Sequence, residues 1–308
     1  MTPFRSGFIS IIGRTNVGKS TLVNQLMGEK LSIISDKPQT TRNRIHCILQ
    51  REGFQAVFLD TPGIHSAKTR LGERMNRYAL DTLSEVDLIL FMTTADSKKP
   101  GPGDMNIIDK LVRVQTQIFL VLNKGDLVSE TAVRELLESY QGLLNWTDTH
   151  SISALYGQGV PELTDAIFRA LPEGPRYYDE DMIIDQPERF LAAEIIREKV
   201  LMLTRDEIPH GVAVNVESMK EITRQREEGC VDVVLHIDAN IYTDRESPKG
   251  IIVGAKGAML KQIGTLARAD LEKLLGCHVF LNLWVRVRQD WRNNEYSLRE
   301  FGYRKQGK

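Results

Sequence analysis

Residues 8–20 read Phe-Ile-Ser-Ile-Ile-Gly-Arg-Thr-Asn-Val-Gly-Lys-Ser, and this stretch decides the first half of the fold. An apolar, β-branched run ends at Gly13, the pattern GxxxxGK[ST] follows, and an amphipathic segment over 19–27 comes behind it. Strand, glycine turn and helix in that order aim backbone N–H groups and the positive end of a helix at anionic oxygens. Lys19 supplies a cation for the β and γ phosphates of a nucleotide, and the Ser20 hydroxyl a ligand for Mg²⁺. The candidate phosphate cradle is therefore Gly13, Arg14, Thr15, Asn16, Val17, Gly18, Lys19, Ser20 and Thr21. Average composition produces such a pattern in roughly one chain of this length in a hundred.

Working outward, the runs 8–12, 56–59, 88–92 and 118–122 read as strands, and 19–27, 70–83, 103–112, 131–144 and 160–170 as helices. Strands that are apolar without alternation suit a parallel sheet covered on both faces. The expectation for residues 1–172 is an α/β domain with a mostly parallel, doubly wound sheet. Prolines at 172, 175 and 187 and an acidic patch mark a linker over 173–183. Beyond it, 189–203 and 258–275 read as helices, and 211–218, 231–239 and 279–287 as strands, so residues 184–308 are expected to form a smaller α+β domain.

The chain has 308 residues, 42% hydrophobic and 26% charged, enough for about two domains of ordinary globular composition. A formal net charge of -1 argues for no particular partner until its distribution is examined. Cys47, Cys230 and Cys277 lie far apart without CxxC or Cys/His spacing, which argues against a disulfide framework and a zinc site. No window approaches the apolar length of a membrane span, so a soluble, cytoplasmic protein is expected.

Base identity is read from Asn123-Lys124-Gly125-Asp126, directly after the run 118–122. A carboxylate at Asp126 accepts from both N1–H and the 2-amino group of guanine, whereas adenine has a lone pair at N1 and no 2-amino group. GTP over ATP follows. Asn123 supports the loop, the Lys124 stem covers the ring, and Ser153-Ala154 offers the Ala154 N–H to guanine O6. Asp60-Thr61-Pro62-Gly63 ends the run 56–59, with Asp60 placed to hold Mg²⁺ through water and the Gly63 N–H to meet the γ-phosphate. The polar stretch 36–44 contains Thr41, which would reach the metal when GTP is present. These two stretches are the candidate switches.

The ordered set GRTNVGKS, QTTR, DTPG, NKGD and SAL resembles the translation-factor-related class of small GTPases. Many GTPases place a glutamine after the DxxG glycine to orient the attacking water; Ile64 stands there and cannot. The resemblance implies slow intrinsic hydrolysis without a side-chain base, and K⁺ near Asn16, since the matching asparagine ligates that ion in potassium-activated relatives. Thr15 and Gly125 depart from the family pattern, which commonly has proline and an aliphatic residue.

In the second half, Gly254-Ala255-Lys256-Gly257 precedes a helix, and a GxxG turn before a helix is how a KH domain clamps a nucleic-acid backbone. Lys256 and Lys261 add charge. Residues 184–248 hold 8 Lys and Arg against 14 Asp and Glu, whereas residues 249–308 hold 12 against 5, so the basic stretch coincides with the turn. Trp284 and Trp291 interleave with Arg286, Arg288 and Arg292, and both read as core rather than as stacking platforms. The segments 195–199, 251–264 and 283–288 resemble the Era family, with its type II KH domain. That resemblance implies a bacterial protein that binds 16S ribosomal RNA near its 3′ end, assists assembly of the 30S subunit and associates loosely with the inner membrane's cytoplasmic face; a monomer is expected. Two other readings stay open on the residues alone: an RNA chaperone with incidental GTP hydrolysis, and a GTPase partner in tRNA modification, against which stands the lack of a C-terminal catalytic cysteine motif.

Overall fold

The computed structural model describes residues 3–29, 31, 42, 45–60, 62–63, 69–205, 208–225 and 231–303. Thr41, Thr61 and Ile64 lie outside these residues. The first unit runs β1 (Arg5–Ile12), α1 (Lys19–Met27), β2 (Ile45–Arg51), β3 (Phe54–Asp60), α2 (Arg70–Asp81), β4 (Leu88–Thr94), α3 (Pro102–Leu111), β5 (Gln117–Asn123), α4 (Glu130–Tyr140), β6 (Asp148–Ser151) and α5 (Val160–Ala170). Its sheet has the order β2-β3-β1-β4-β5-β6, with β2 antiparallel to β3 and every other pair parallel. β4 is buried along its whole length, which accounts for its unbroken apolar run. α1 and α5 pack on one face. On the other, α3 and α4 bury Ile107, Ile108, Leu111, Leu136 and Tyr140 against Phe91, Leu120 and Leu122.

The stretch expected as a linker, 173–183, is laid against this sheet. Gln55 Oε1 accepts from the N–H groups of Tyr177 (2.8 Å) and Tyr178 (3.1 Å), the Ile48 N–H donates to the Ile183 carbonyl (2.9 Å), and the His46 N–H to Asp185 Oδ1 (3.0 Å). The Tyr177 ring also packs on Phe8 at 4.8 Å. Proline and acidic residues mark a linker, and within it a buried amide and two aromatic rings hold the stretch to the first unit. The first compact unit extends to Asp185 and the second begins at Gln186.

The second unit comprises α6 (Glu188–Leu203), β7 (Ala213–Gln225), β8 (Val231–Thr243), α7 (Glu246–Val253), α8 (Ala258–Leu275), β9 (His278–Val287) and α9 (Glu295–Glu300). Its sheet is ordered β7-β8-β9, antiparallel then parallel, so β9 is an edge strand. Ile195, Ile196 and Val200 of α6, Ile252 of α7 and Ile263, Ala267 and Leu271 of α8 share one core with Val216, Ile237, Ala239 and Val279. No helix among the described residues is long and apolar enough to cross a membrane.

Candidate functional site

In an open α/β sheet, ligands lie outside the carboxyl ends of the strands, where the strand order reverses. Here that point is beside β1, flanked by β3 and β4. Register aligns Ile11 with Asp60 and Thr94 with Asn123, so the loop 13–18, Asp60 and the turn after Asn123 emerge at one edge. Two glycines are required in the loop. A Cβ on Gly13 would stand 2.2 Å from the Met92 carbonyl oxygen, and one on Gly18, at φ +100°, 2.2 Å from Asn123 Nδ2. Asn16 takes a left-handed conformation at φ 64° and is exposed at the crown.

Lys19 curls back so that Nζ donates to the carbonyls of Gly13 (3.2 Å) and Arg14 (2.7 Å). Burial pushes its pKa down to about 8, with the Asp60 carboxylate opposing. An ammonium buried beside too little negative charge is an anion receptor, and an oligophosphate restores the balance. A Cβ on Gly63 would lie 3.1 Å from Lys19 Nζ and 3.0 Å from Thr15 Cγ2, so the buried Pro62–Gly63 backbone abuts the loop. Ser20 Oγ donates to Asp60 Oδ2 at 3.3 Å. A hydroxyl beside a carboxylate is a hard oxygen pair that suits Mg²⁺, which prefers few protein ligands and keeps positions for water and phosphate. Thr21 follows in the first turn of α1.

Asn123, 4% exposed, fastens two loops at once. Its Nδ2 donates to the Val17 carbonyl (2.8 Å) and its Oδ1 accepts the Ala154 N–H (2.8 Å). The Ala154 donor, expected to face guanine O6, is therefore engaged by Asn123. Lys124 adopts φ 63°, and Gly125 starts a single 3-10 turn that leaves Asp126 exposed at the rim. The Gly125 N–H donates to Ile152 O at 3.0 Å, and a Cβ there would come within 2.9 Å of Ser151 Oγ. Ser153 is buried, its N–H donating to Gln158 O at 2.9 Å.

Sequence reasoning missed the role of the Arg14 side chain. Its Nε pairs with Asp104 Oδ1 at 2.8 Å, and this fully buried carboxylate also accepts from Thr93 Oγ1 (3.2 Å) and the Gly101 N–H (3.2 Å). Tyr140 continues the chain through its hydroxyl to Thr93 (3.3 Å), and burial pushes its phenol up to about 12. Arg14 thus braces the loop against α3. Removing the cation strands a buried charge, so Arg14→Gln is expected to cost about 3 kcal/mol of unfolding free energy. Arg14→Gln with Asp104→Asn, which leaves no charge behind, should recover most of it; denaturant melts of the two variants make the comparison.

In the second unit, α7 ends at Gly254 (φ 71°), Lys256 and Gly257 are left-handed at φ 51° and 81°, and α8 begins at Ala258. A Cβ on Gly254 would meet Met259 Cβ at 2.7 Å, so the turn admits no side chain there. Ala255, Lys256 and Lys261 are exposed, and no described side chain caps the first turn of α8, whose N–H groups stay open to an acceptor. Trp291 is buried, its Nε1 donating to Gly211 O at 2.8 Å. Trp284 corrects the expectation of a core residue: it is 46% exposed.

Comparison with known proteins agrees with this geometry. Family models described as a 50S ribosome-binding GTPase and a KH domain match residues 8–124 and 207–292. GTPase Era of Geobacter metallireducens is 52% identical over 301 residues, covering 98% of each chain. A crystal structure of a point variant of Aquifex aeolicus Era bound to GDP·AlF4⁻ superposes with a TM-score of 0.90 at 40% identity, covering 97% of this chain and 99% of that one. A structure of Era in complex with MgGDPNP and nucleotides 1506–1542 of 16S ribosomal RNA gives 0.89 at 41% identity, with the same coverage. The second unit is a KH domain, the first a P-loop GTPase domain, and the chain belongs to the Era family of GTPases.

Proposed function

We propose that this chain is a GTP-hydrolysing switch that holds 16S ribosomal RNA near its 3′ end and assists assembly of the 30S subunit. The GTPase part of the reading is carried by Asn123, whose one amide joins the phosphate loop to the loop 151–155 at the sheet edge, and the RNA part is supported by the likeness to Era bound to nucleotides 1506–1542 of 16S ribosomal RNA. In this reading the G domain covers the expected 1–172 together with the packed stretch up to Asp185, and the KH domain runs from Gln186 instead of 184 to 308. Residues Gly13 to Thr21 cradle the phosphates, with Lys19 at the β and γ oxygens. Ser20, Asp60 and Thr41 hold Mg²⁺, which when bound neutralises charge on those oxygens. Gly63 donates its N–H to the γ-phosphate, and Thr61, Pro62 and Ile64 flank it. Asp126 selects guanine, Lys124 covers its ring, and Asn123, Gly125, Ser153 and Ala154 shape the pocket.

With no glutamine at position 64, backbone groups orient the attacking water. We assign K⁺ to Asn16, whose left-handed backbone presents it at the crown of the loop. Hydrolysis should run several-fold faster in KCl than in NaCl, and Asn16→Ala should erase the difference; equal rates in the two salts for the parent protein remove the ion from the scheme. The RNA lies across Gly254, Ala255, Lys256 and Gly257, with Lys261 on its phosphates. The protein works as a cytoplasmic monomer, loosely associated with the inner membrane.

The test is RNA affinity in three nucleotide states. Titrating the 1506–1542 fragment against protein loaded with GDP, GTP or a non-hydrolysable analogue should give tighter binding with the triphosphates. Identical affinity in all three would leave a chaperone and no switch.

A further inference from the structure

The face of the KH sheet turned away from α6, α7 and α8, which the end of α9 covers only at Tyr242 through Phe301 (4.8 Å), carries large rings that the described residues of the domain leave half exposed. Along β9, Val279, Leu281, Leu283 and Val285 pack toward the helices, and alternation sends Phe280, Asn282, Trp284 and Arg286 the other way. Phe280 is 49% and Trp284 46% exposed. The His236 ring of β8 lies 4.8 Å from Phe280 at an interplanar angle of 33°, and Lys220 of β7 stands opposite His236. The nearby Asp238 carboxylate is engaged within the sheet, accepting from Ser218 Oγ (2.8 Å) and Asn282 Nδ2 (2.9 Å).

We infer that this face is a second RNA platform, on which Phe280 and Trp284 stack bases of a single strand that continues beyond the GxxG turn. The inference rests on the RNA reading above. Large half-exposed rings on a sheet, flanked by cations and amides, are the arrangement that stacks single-stranded bases without strict sequence preference. Charge on this face is mixed, with Lys220 and Arg286 beside Asp238 and Glu217, but both carboxylates are engaged by amides of the sheet, Asp238 by Asn282 and Glu217 by Asn240 (2.6 Å). Continuity favours RNA, because α7 and α8, which bear the turn, both pack on β9, and β9 is the open edge of the sheet. A strand leaving the turn reaches the rings by rounding that edge. Four residues of extended chain separate the two rings by about 13 Å, room for two separately stacked bases. A KH turn clamps only about four nucleotides, so a longer strand has bases left for such a platform.

The experiment compares full-length protein and its variants against the 1506–1542 fragment and against oligonucleotides of four to six residues cut from its 3′ part. Trp284→Ala and Phe280→Ala should each weaken the long RNA about tenfold and leave the short ones unchanged. Trp284→Phe, which keeps a ring, should retain most of the affinity, and thermal melts verify that each variant is folded. Unchanged affinity for the long RNA in both alanine variants overturns the platform and leaves these rings to a protein partner. So does equal loss in Trp284→Phe and Trp284→Ala, or a parent protein that binds no RNA. Gly254→Asp with Gly257→Asp tests the clamp separately. If that variant binds as the parent does while Trp284→Ala does not, the clamp reading fails and the platform stands.

Discussion

Lys19→Met should abolish measurable GTP binding while leaving the nucleotide-free protein at least as stable as the parent at pH 7. The two halves have one origin. Two charge-assisted hydrogen bonds to phosphate oxygens, each worth about 1.5–3 kcal/mol, vanish with the ammonium, so affinity should fall by a factor on the order of 10² to 10⁴. Without nucleotide, however, that ammonium is a burden, because burial lowers its pKa from 10.5 to about 8. A lysine whose folded pKa lies below its unfolded one destabilises the fold at every pH under the lower value, and the cost fades as pH rises from about 8 to 10.5. The parent protein without nucleotide should therefore gain stability over that window, and Lys19→Met should show no such gain. Calorimetric titration with GTP and thermal melts across pH measure both. Retained affinity, or a fold weakened at pH 7, would contradict the assignment of Lys19.

Asp126→Asn should reverse base preference. The carboxylate offers two acceptors to the N1–H and 2-amino donors of guanine, whereas an asparagine turns one of them into a donor that faces the 2-amino group. Xanthine carries a carbonyl at C2, which accepts from the new amide while N1–H still donates. GTP affinity should fall about a hundredfold or more, as expected when a site built for one hydrogen-bond pattern meets another, and xanthosine triphosphate should become the better ligand. Asp126 lies exposed in a one-turn loop, so the substitution should not disturb the sheet. Competition of both nucleotides against a fluorescent guanine nucleotide gives the ratio, and an unaltered ratio would dismiss Asp126 as the selector.

That the candidate nucleotide motifs meet at one sheet edge is legible because their signals are local. A strand, a glycine turn and a lysine on a helix are contiguous, and each of the later motifs follows its own strand. What escaped depends on partners distant in sequence. The pairing of Arg14 with Asp104 spans 90 positions, and nothing near either residue announces it. β2 gives no clear signal because it is an edge strand mixing His46 and Gln50 into its apolar run, its pairing fixed by β3. α7 was hidden by Pro248 and Gly250, which look like breakers, yet Pro248 stands in the first turn, where the missing N–H has no intrahelical acceptor. α4 stops at Tyr140, short of the expected 144, because Gly142 turns at φ 80° and the Trp146 indole N–H takes up the Tyr140 carbonyl at 2.8 Å. The two tryptophans differ in place: Trp284 shares the outward parity of Phe280 on β9, whereas Trp291 follows the strand in a 3-10 turn and is buried.

Since a single amide clasps both loops, the purine and the phosphates of the proposed reading would not be held by independent latches. Prising the base outward pulls on Asn123, and Asn123 pulls on the carbonyl of Val17, so the grip slackens at both ends together. In the proposed reading, product departure would then be one concerted opening instead of a peeling from either side.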